Sequence, residues 1–162
     1  MKKIYIMMAV FLLVGCTGTT QYMHTPSDSD GKVHLYRISE FNAGGMGAVF
    51  YVDDQNILKL GTKDYAEVPV APGKHTISVK ADQTTQKDTH ELNVEPNVNY
   101  YFMIKANPNR LGPQLLIPLI EIASIPGFLL VESNEENYKK ESAGFKLEKI
   151  EYANKASKKD AQ

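Results

Sequence analysis

Between Lys32 and Lys105 apolar and polar residues alternate with a period of two, in short runs separated by turn formers. In Tyr65–Val70, Ala66, Val68 and Val70 fall on one face and Tyr65, Glu67 and Pro69 on the other. His75, Ile77 and Val79 alternate in the same way with Thr76, Ser78 and Lys80. Val98, Tyr100, Phe102 and Ile104 alternate with Asn99, Tyr101, Met103 and Lys105. Successive side chains of a strand point to opposite faces, so such runs build sheets with one dry and one wet face, the mark of antiparallel pairing. The breaks are Asp53-Asp54-Gln55-Asn56, Gly61-Thr62-Lys63-Asp64, Ala71-Pro72-Gly73 and Glu95-Pro96-Asn97, all rich in residues that turn a chain. Strands are expected at Lys32–Ile38, Ala48–Val52, Ile57–Leu60, Tyr65–Val70, Lys74–Lys80, Thr89–Val94, Val98–Lys105 and Phe128–Glu132. The fold class is mainly β: an antiparallel β-sandwich of about seven to eight strands with a C-terminal helix. Pro69 cannot donate to a ladder and belongs on an edge or at a bulge.

That helix is expected from about Asn134 to Ala143, because Ser133-Asn134-Glu135-Glu136 has the form of a capping box and Gly144 suits a left-handed stop. Phe145-Lys146-Leu147-Glu148-Lys149-Ile150-Glu151-Tyr152 fits neither period. The charged stretch 153–162 has no apolar reason to order.

The first residues carry a different signal. Lys2 and Lys3 precede an unbroken apolar run, Ile4–Val14. The run suits a secretory signal and is shorter than the roughly 20 residues a spanning helix needs. It ends in Leu13-Val14-Gly15-Cys16, which resembles a bacterial lipobox. The resemblance implies cleavage before Cys16 and diacylglyceryl transfer to its thiol. Cys16 is the sole cysteine, so no disulfide forms within the chain and the thiol needs another account. The plainer alternative is an ordinary signal peptide with an incidental thiol. One acyl chain anchors marginally, whereas two or three hold firmly. Thr17, not Asp, follows the cysteine, which in a Gram-negative cell resembles the signal for the outer membrane, facing the periplasm. Loss of residues 1–15 removes two of the 18 basic residues and none of the 19 acids, leaving a net charge of −3. No basic surplus suits nucleic acid. The expected organisation is a signal peptide 1–15, a flexible polar tether 16–31 and a sandwich 32–133 with an apolar crossover 111–131. A helical extension 134–152 and a disordered tail 153–162 complete it.

The order Val33-His34-Leu35-Tyr36-Arg37, then Tyr51-Val52-Asp53-Asp54, then Val70-Ala71-Pro72-Gly73-Lys74-His75-Thr76 resembles a bacterial lipoprotein family known as a domain of unknown function. It is also similar to surface β-sandwich modules of the PEGA type. The resemblance runs from Val33 to about Ser133. It implies a sandwich in the cell envelope and brings no activity. Asp54 stands where such turns more often hold Gly, which favours a longer loop Asp53–Asn56 over a tight two-residue turn.

Few residues suggest chemistry. Asn42–Phe50, "NAGGMGAVF", looks like a kinase phosphate loop: Gly44, Gly47 and Val49 fit, but Asn42 replaces the first glycine. Lys59 follows too soon, and neither His-Arg-Asp nor Asp-Phe-Gly occurs. A dinucleotide fingerprint must open a helix, and this one opens a strand. No nucleotide partner is expected, and the glycines read as a connector. His24, His34, His75 and His90 lack metal spacing, so neither metal nor cofactor is expected. Asp28-Ser29-Asp30-Gly31 opens like a calcium loop but lacks the closing glutamate. His75, beside Pro72-Gly73, is the candidate interaction residue; the plain reading is a hydrogen-bonded rim histidine. Ser78, His75 and Asp82 could formally make a triad, but no nucleophile elbow accompanies them. No catalytic residue is assigned.

Leu111–Val131, "LGPQLLIPLIEIASIPGFLLV", holds one charge, Glu121, and three prolines, Pro113, Pro118 and Pro126. Three readings stand: a membrane span, penalised by Glu121 at about 2.5–3.5 kcal/mol and by the prolines; a buried crossover with a short helix after Pro118; and an exposed apolar lobe. In the last, Ile117, Ile120 and Glu121 would meet an envelope protein partner. The expectation is a non-catalytic, lipid-anchored envelope protein, with membrane contact through Cys16. Its rivals are an envelope ligand-binding protein or enzyme with a pocket near His75, and a protein inserting 111–131.

Overall fold

The computed structural model describes residues 22–40, 45–111 and 125–150. Two sheets form the domain. Strands β1 (Gly31–Arg37), β4 (Asp64–Val70), β7 (Asn99–Ala106), β8 (Phe128–Glu132) and β9 (Lys146–Leu147) make a five-stranded sheet in the order β8-β7-β1-β4-β9. Strands β2 (Ala48–Val52), β3 (Gln55–Leu60), β5 (Gly73–Ala81) and β6 (Asp88–Val94) make a four-stranded sheet in the order β3-β2-β5-β6. A single helical turn, α1 (Pro108–Leu111), follows β7, and α2 (Glu135–Glu141) follows β8.

The alternating runs place their apolar faces between the sheets, as expected. Val33 and Leu35 of β1, Ala66, Val68 and Val70 of β4, Ile77 and Val79 of β5 and Ile104 of β7 are all fully buried in one cluster with Phe50 and Phe128. Removing such side chains from water at about 25 cal/mol per Å² is the main force holding the layers together. The flanking edges of the two sheets are tied by the Asp88 carboxylate of β6, which accepts the Leu130 amide of β8 at 2.7 Å. Pro69 meets its requirement as well. The Lys32 amide turns away from it to donate to Val98 O, so Lys32 and Pro69 are a non-hydrogen-bonded pair of the antiparallel β1/β4 ladder. The proline nitrogen therefore faces outward, where β9 pairs only with Asp64 and Tyr65.

Four expectations need correction. The pairing is not wholly antiparallel: β1 runs parallel to β7, with Leu35 opposite Phe102, and β4 runs parallel to β9. The tight turn judged unfavourable at Asp54 does form: β2 ends at Val52, β3 begins at Gln55, and Asp53 and Asp54 both have positive φ, 47° and 63°. Two central residues of positive φ match the twist of a hairpin, and an aspartate tolerates that region better than most residues when its side chain finds local partners. A register shift beside Phe50 and Tyr51 then lets Ile57 and Leu58 both bury.

The third correction concerns the tether 16–31, whose described part is docked. Tyr22 is only 4% exposed within the core cluster, the Met23 amide donates to Gln55 Oε1 at 3.3 Å, and the His24 ring lies 2.6 Å from the Asp30 carboxylate. The buried ring of Tyr22 and the hydrogen bonds of Met23, His24 and Ser27 together offset the entropy of ordering this polar segment. Finally, α2 is capped by Asn134, whose side chain accepts the Asn137 amide, and not by Ser133. Gly144 does take the left-handed conformation, at φ 81°, and part of the ambiguous stretch after it becomes β9.

Candidate functional site

The β2–β3 turn and the β4–β5 turn meet at one end of the sandwich, and His75 sits between them. Its Nδ1 lies 2.7 Å from Asp53 Oδ2 and its Nε2 2.9 Å from the Ala71 carbonyl oxygen. Both neighbours can only accept, so both bonds exist together only when both ring nitrogens carry protons. The second oxygen of Asp53 accepts the Thr76 amide at 2.9 Å. Partial burial pushes the Asp53 pKa up, but the Thr76 amide and His75 pull harder, and the carboxyl ends below its usual range. One carboxylate thus holds its own left-handed backbone, the start of β5 and the histidine that grips the Ala71 turn.

An open groove of about 410 Å³ adjoins this clasp, lined by Asp53, Lys74, His75, Thr76, Glu91, Leu92 and Asn93. A smaller one, about 210 Å³, lies on its other side between Tyr22, Met23, His24, Val52, Gln55 and Ala71. A third, about 510 Å³, is wholly polar or proline-lined, from Pro26 and Asp30 to Asn97 and Asn99.

The formal triad does not assemble. His75 and Ser78 are three apart on β5 and so point to opposite faces. Asp82 lies beyond the other end of that strand, with its carboxylate 2.5 Å from Lys59 Nζ. The lysine of the glycine-rich stretch is therefore engaged by an acid. Its stem crosses Gly47 so closely that a Cβ there would lie 1.9 Å from Lys59 Cε. Gly47 O also accepts the Asp82 amide at 2.9 Å. Lys59 and its hydrogen bond, with the backbone support of Gly47, pull the Asp82 carboxyl below its ordinary range against a partial desolvation. Gly47 leaves room for the Lys59 stem as it reaches Asp82; residues 41–44 of the stretch lie outside the described residues.

Two features escaped sequence reasoning. Arg37, the last residue of β1, falls on the inward face with Val33 and Leu35 and is 2% exposed. Its Nη1 donates to the carbonyls of Met46 at 2.6 Å and Leu60 at 2.9 Å, and its guanidinium lies 4.5 Å from the Phe128 ring centre. Burial pulls its pKa down, while Asp64, Glu40 and Asp82 oppose that. The signal was available: the period-two count places Arg37 inside. On the outer face of the same sheet, His34, Tyr36, Tyr65 and Tyr101 surround Tyr138, the one buried residue of α2. Burial raises the Tyr138 pKa, and its hydroxyl has no partner among the described residues.

His24 pairs with Asp30 and His90 with Asp88, and His90 is exposed. Among the described residues no group of three or more His, Cys, Asp or Glu side chains could hold a metal, and no helix is long and apolar enough to cross a membrane. Cys16, Ile117, Ile120 and Glu121 lie outside the described residues.

These features define a class: a two-sheet β-sandwich in which ionisable side chains clasp turns and strand ends. The chain belongs to the family described as Protein of unknown function (DUF2846), whose model matches residues 27–112, just over half of its length. The match covers β1 to β7 and α1 and stops before β8 and α2. No curated protein matches the chain in sequence.

Proposed function

We propose that this is a non-catalytic lipoprotein of the cell envelope, anchored through Cys16 and acting by contact with other envelope components. The observation that carries it is the N-terminal series Lys2-Lys3, Ile4–Val14, Gly15-Cys16: a charged start, a short apolar core and a small residue before the only cysteine. The engagement of His75, Lys59 and Asp82 in turn and strand-end contacts supports the non-catalytic part. In a Gram-negative cell the anchor would lie in the outer membrane, with the domain facing the periplasm. Replacing Cys16 with Ala is expected to move the protein from the membrane fraction to the soluble one. Retention of Cys16→Ala in the membrane would contradict the anchor and point to 111–131. A partner contact through that stretch predicts that Ile117→Asp or Ile120→Asp abolishes co-purification of an envelope protein while the fold survives. Unfolding of both variants would instead make the stretch core.

A second reading, a ligand-binding protein, draws on the groove beside His75. It predicts that Asn93→Trp, at an exposed groove position opposite Lys74, blocks binding without unfolding the domain. Binding untouched by that change would remove it.

A further inference from the structure

The docked segment Tyr22–Asp30 settles at one end of the sandwich, and that fixes how far the domain can stand from an anchor at Cys16. Met23 bonds Gln55 beside the Asp53–Asp54 turn, and Tyr22 shares a groove with Val52, Asp53 and Ala71. The starts of β1, β5 and β7 and the ends of β2 and β4 share this near end, as the pairs Gly31 with Val70, Val52 with Ile77 and Lys32 with Asn99 require. At the far end lie Arg37 and Gly47, the turn after Ala81, and the pair Ala106 with Phe128.

The lengths exclude the inverted orientation. Whatever their conformation, six peptide steps from Cys16 to Tyr22 span at most about 20–22 Å. The strands running from near to far end are longer: β5 has nine residues and β7 eight, about 24–27 Å at roughly 3.4 Å per step. A domain with its far end on the lipid would lift Tyr22 beyond the reach of its own anchor. We infer that the sandwich stands end-on to the lipid surface, with Met23, the Asp53–Asp54 turn and Pro72–Lys74 facing the headgroups and the far end presented outward. Met23, 71% exposed, is the apolar side chain placed to touch the lipid. The near end carries Asp28, Asp53, Asp54 and Glu95 beside Lys32 and Lys74, so the short tether, and not attraction to anionic lipid, sets the orientation. This rests on the proposed lipidation of Cys16.

The test uses the full lipidated protein in phosphatidylcholine vesicles containing a headgroup spin-labelled lipid. Lipidation occupies Cys16, so a fluorophore can be placed on a single added cysteine: Met23→Cys or Lys74→Cys at the near end, Gln83→Cys or Asn109→Cys, both exposed, at the far end. The expected result is quenching at 23 and 74 and its loss at 83 and 109. Equal quenching at both ends, or the reverse order, overturns the orientation. Inserting a dozen Gly/Ser residues after Gly18 should erase the difference; a difference that persists refutes the tether argument. Intact mass and vesicle flotation of the same samples separate the failures. A protein without the lipid mass, left in the aqueous phase, sinks the lipidation reading and the orientation with it. A lipidated, floating protein quenched equally at both ends sinks the orientation alone.

Discussion

Asp53→Ala should weaken the domain by about 2–3 kcal/mol, and the figure follows from three losses. Asp53 sits at φ 47°, a region that costs a residue with an ordinary Cβ about 1–2 kcal/mol and aspartate less. Its Oδ1 accepts the Thr76 amide at 2.9 Å, a charge-assisted bond whose removal costs about 1 kcal/mol in a half-exposed setting. Its pair with His75 at 2.7 Å is also solvent-screened, since the Asp53 side chain is 48% exposed, and adds at most about 0.5–1 kcal/mol. Asp53→Asn keeps the left-handed preference and an acceptor for Thr76, so it should lose only the charge pair. The pH dependence separates these terms. The folded pKa of Asp53 is depressed, so the native state holds the proton less tightly than the unfolded chain. Its contribution is therefore full above the unfolded value, about 3.9, and fades as pH falls through the lower folded value. Urea unfolding followed by circular dichroism should show the advantage over Asp53→Asn at neutral pH and its shrinkage below about pH 4. If Asp53→Ala matched the wild type, or if the gap over Asp53→Asn widened in acid, the clasp would not hold the turn.

Arg37→Met should destabilise by about 2–4 kcal/mol, because it leaves the part-buried Met46 and buried Leu60 carbonyls without this donor while removing the cost of burying the guanidinium; denaturant midpoints will show it. Gly31→Ala should cost more than Gly47→Ala in the same assay. At Gly31 a Cβ would lie 2.4 Å from Val94 Cγ1 with backbone oxygens close behind, whereas at Gly47 only the flexible Lys59 stem must move. Overpacking at Gly31 should cost about 1–3 kcal/mol. Tyr138→Phe should be neutral or stabilising, since it deletes a buried hydroxyl without a partner among the described residues. Tyr138→Ala should release α2, seen as a loss of amide protection at Asn137 and Ser142; a large cost for Tyr138→Phe would show that the hydroxyl has a partner after all.

Legibility followed the range of the forces involved. Ala66, Val68 and Val70 announce a buried face because alternation is local, and all three are buried. The sandwich follows from several such runs. The parallel pairing of β1 with β7 leaves no comparable trace, since Leu35 and Phe102 are 67 positions apart and meet only through the tertiary fold. The Asp53–Asp54 turn looked too crowded without glycine because the groups that favour it, Thr76 and His75, are more than twenty positions away. Tyr22 was hidden by polar neighbours: composition averages over a segment, while burial acts on one ring. At the site, the plain reading of His75, a hydrogen-bonded rim histidine, matches its contacts with Asp53 and Ala71, and these contacts do not bear on its candidacy as an interaction residue. Tyr138 was missed because four of its ring partners come from strands far away in the chain.

The proposed lipidation of Cys16 is tested most directly by the intact mass of the protein purified from membranes. A chain that begins at Cys16 and carries the mass of a diacylglyceryl group on its thiol is expected, with the modification absent from Cys16→Ala. A chain that retains residues 1–15, or one that begins near Cys16 with a free thiol, would contradict it.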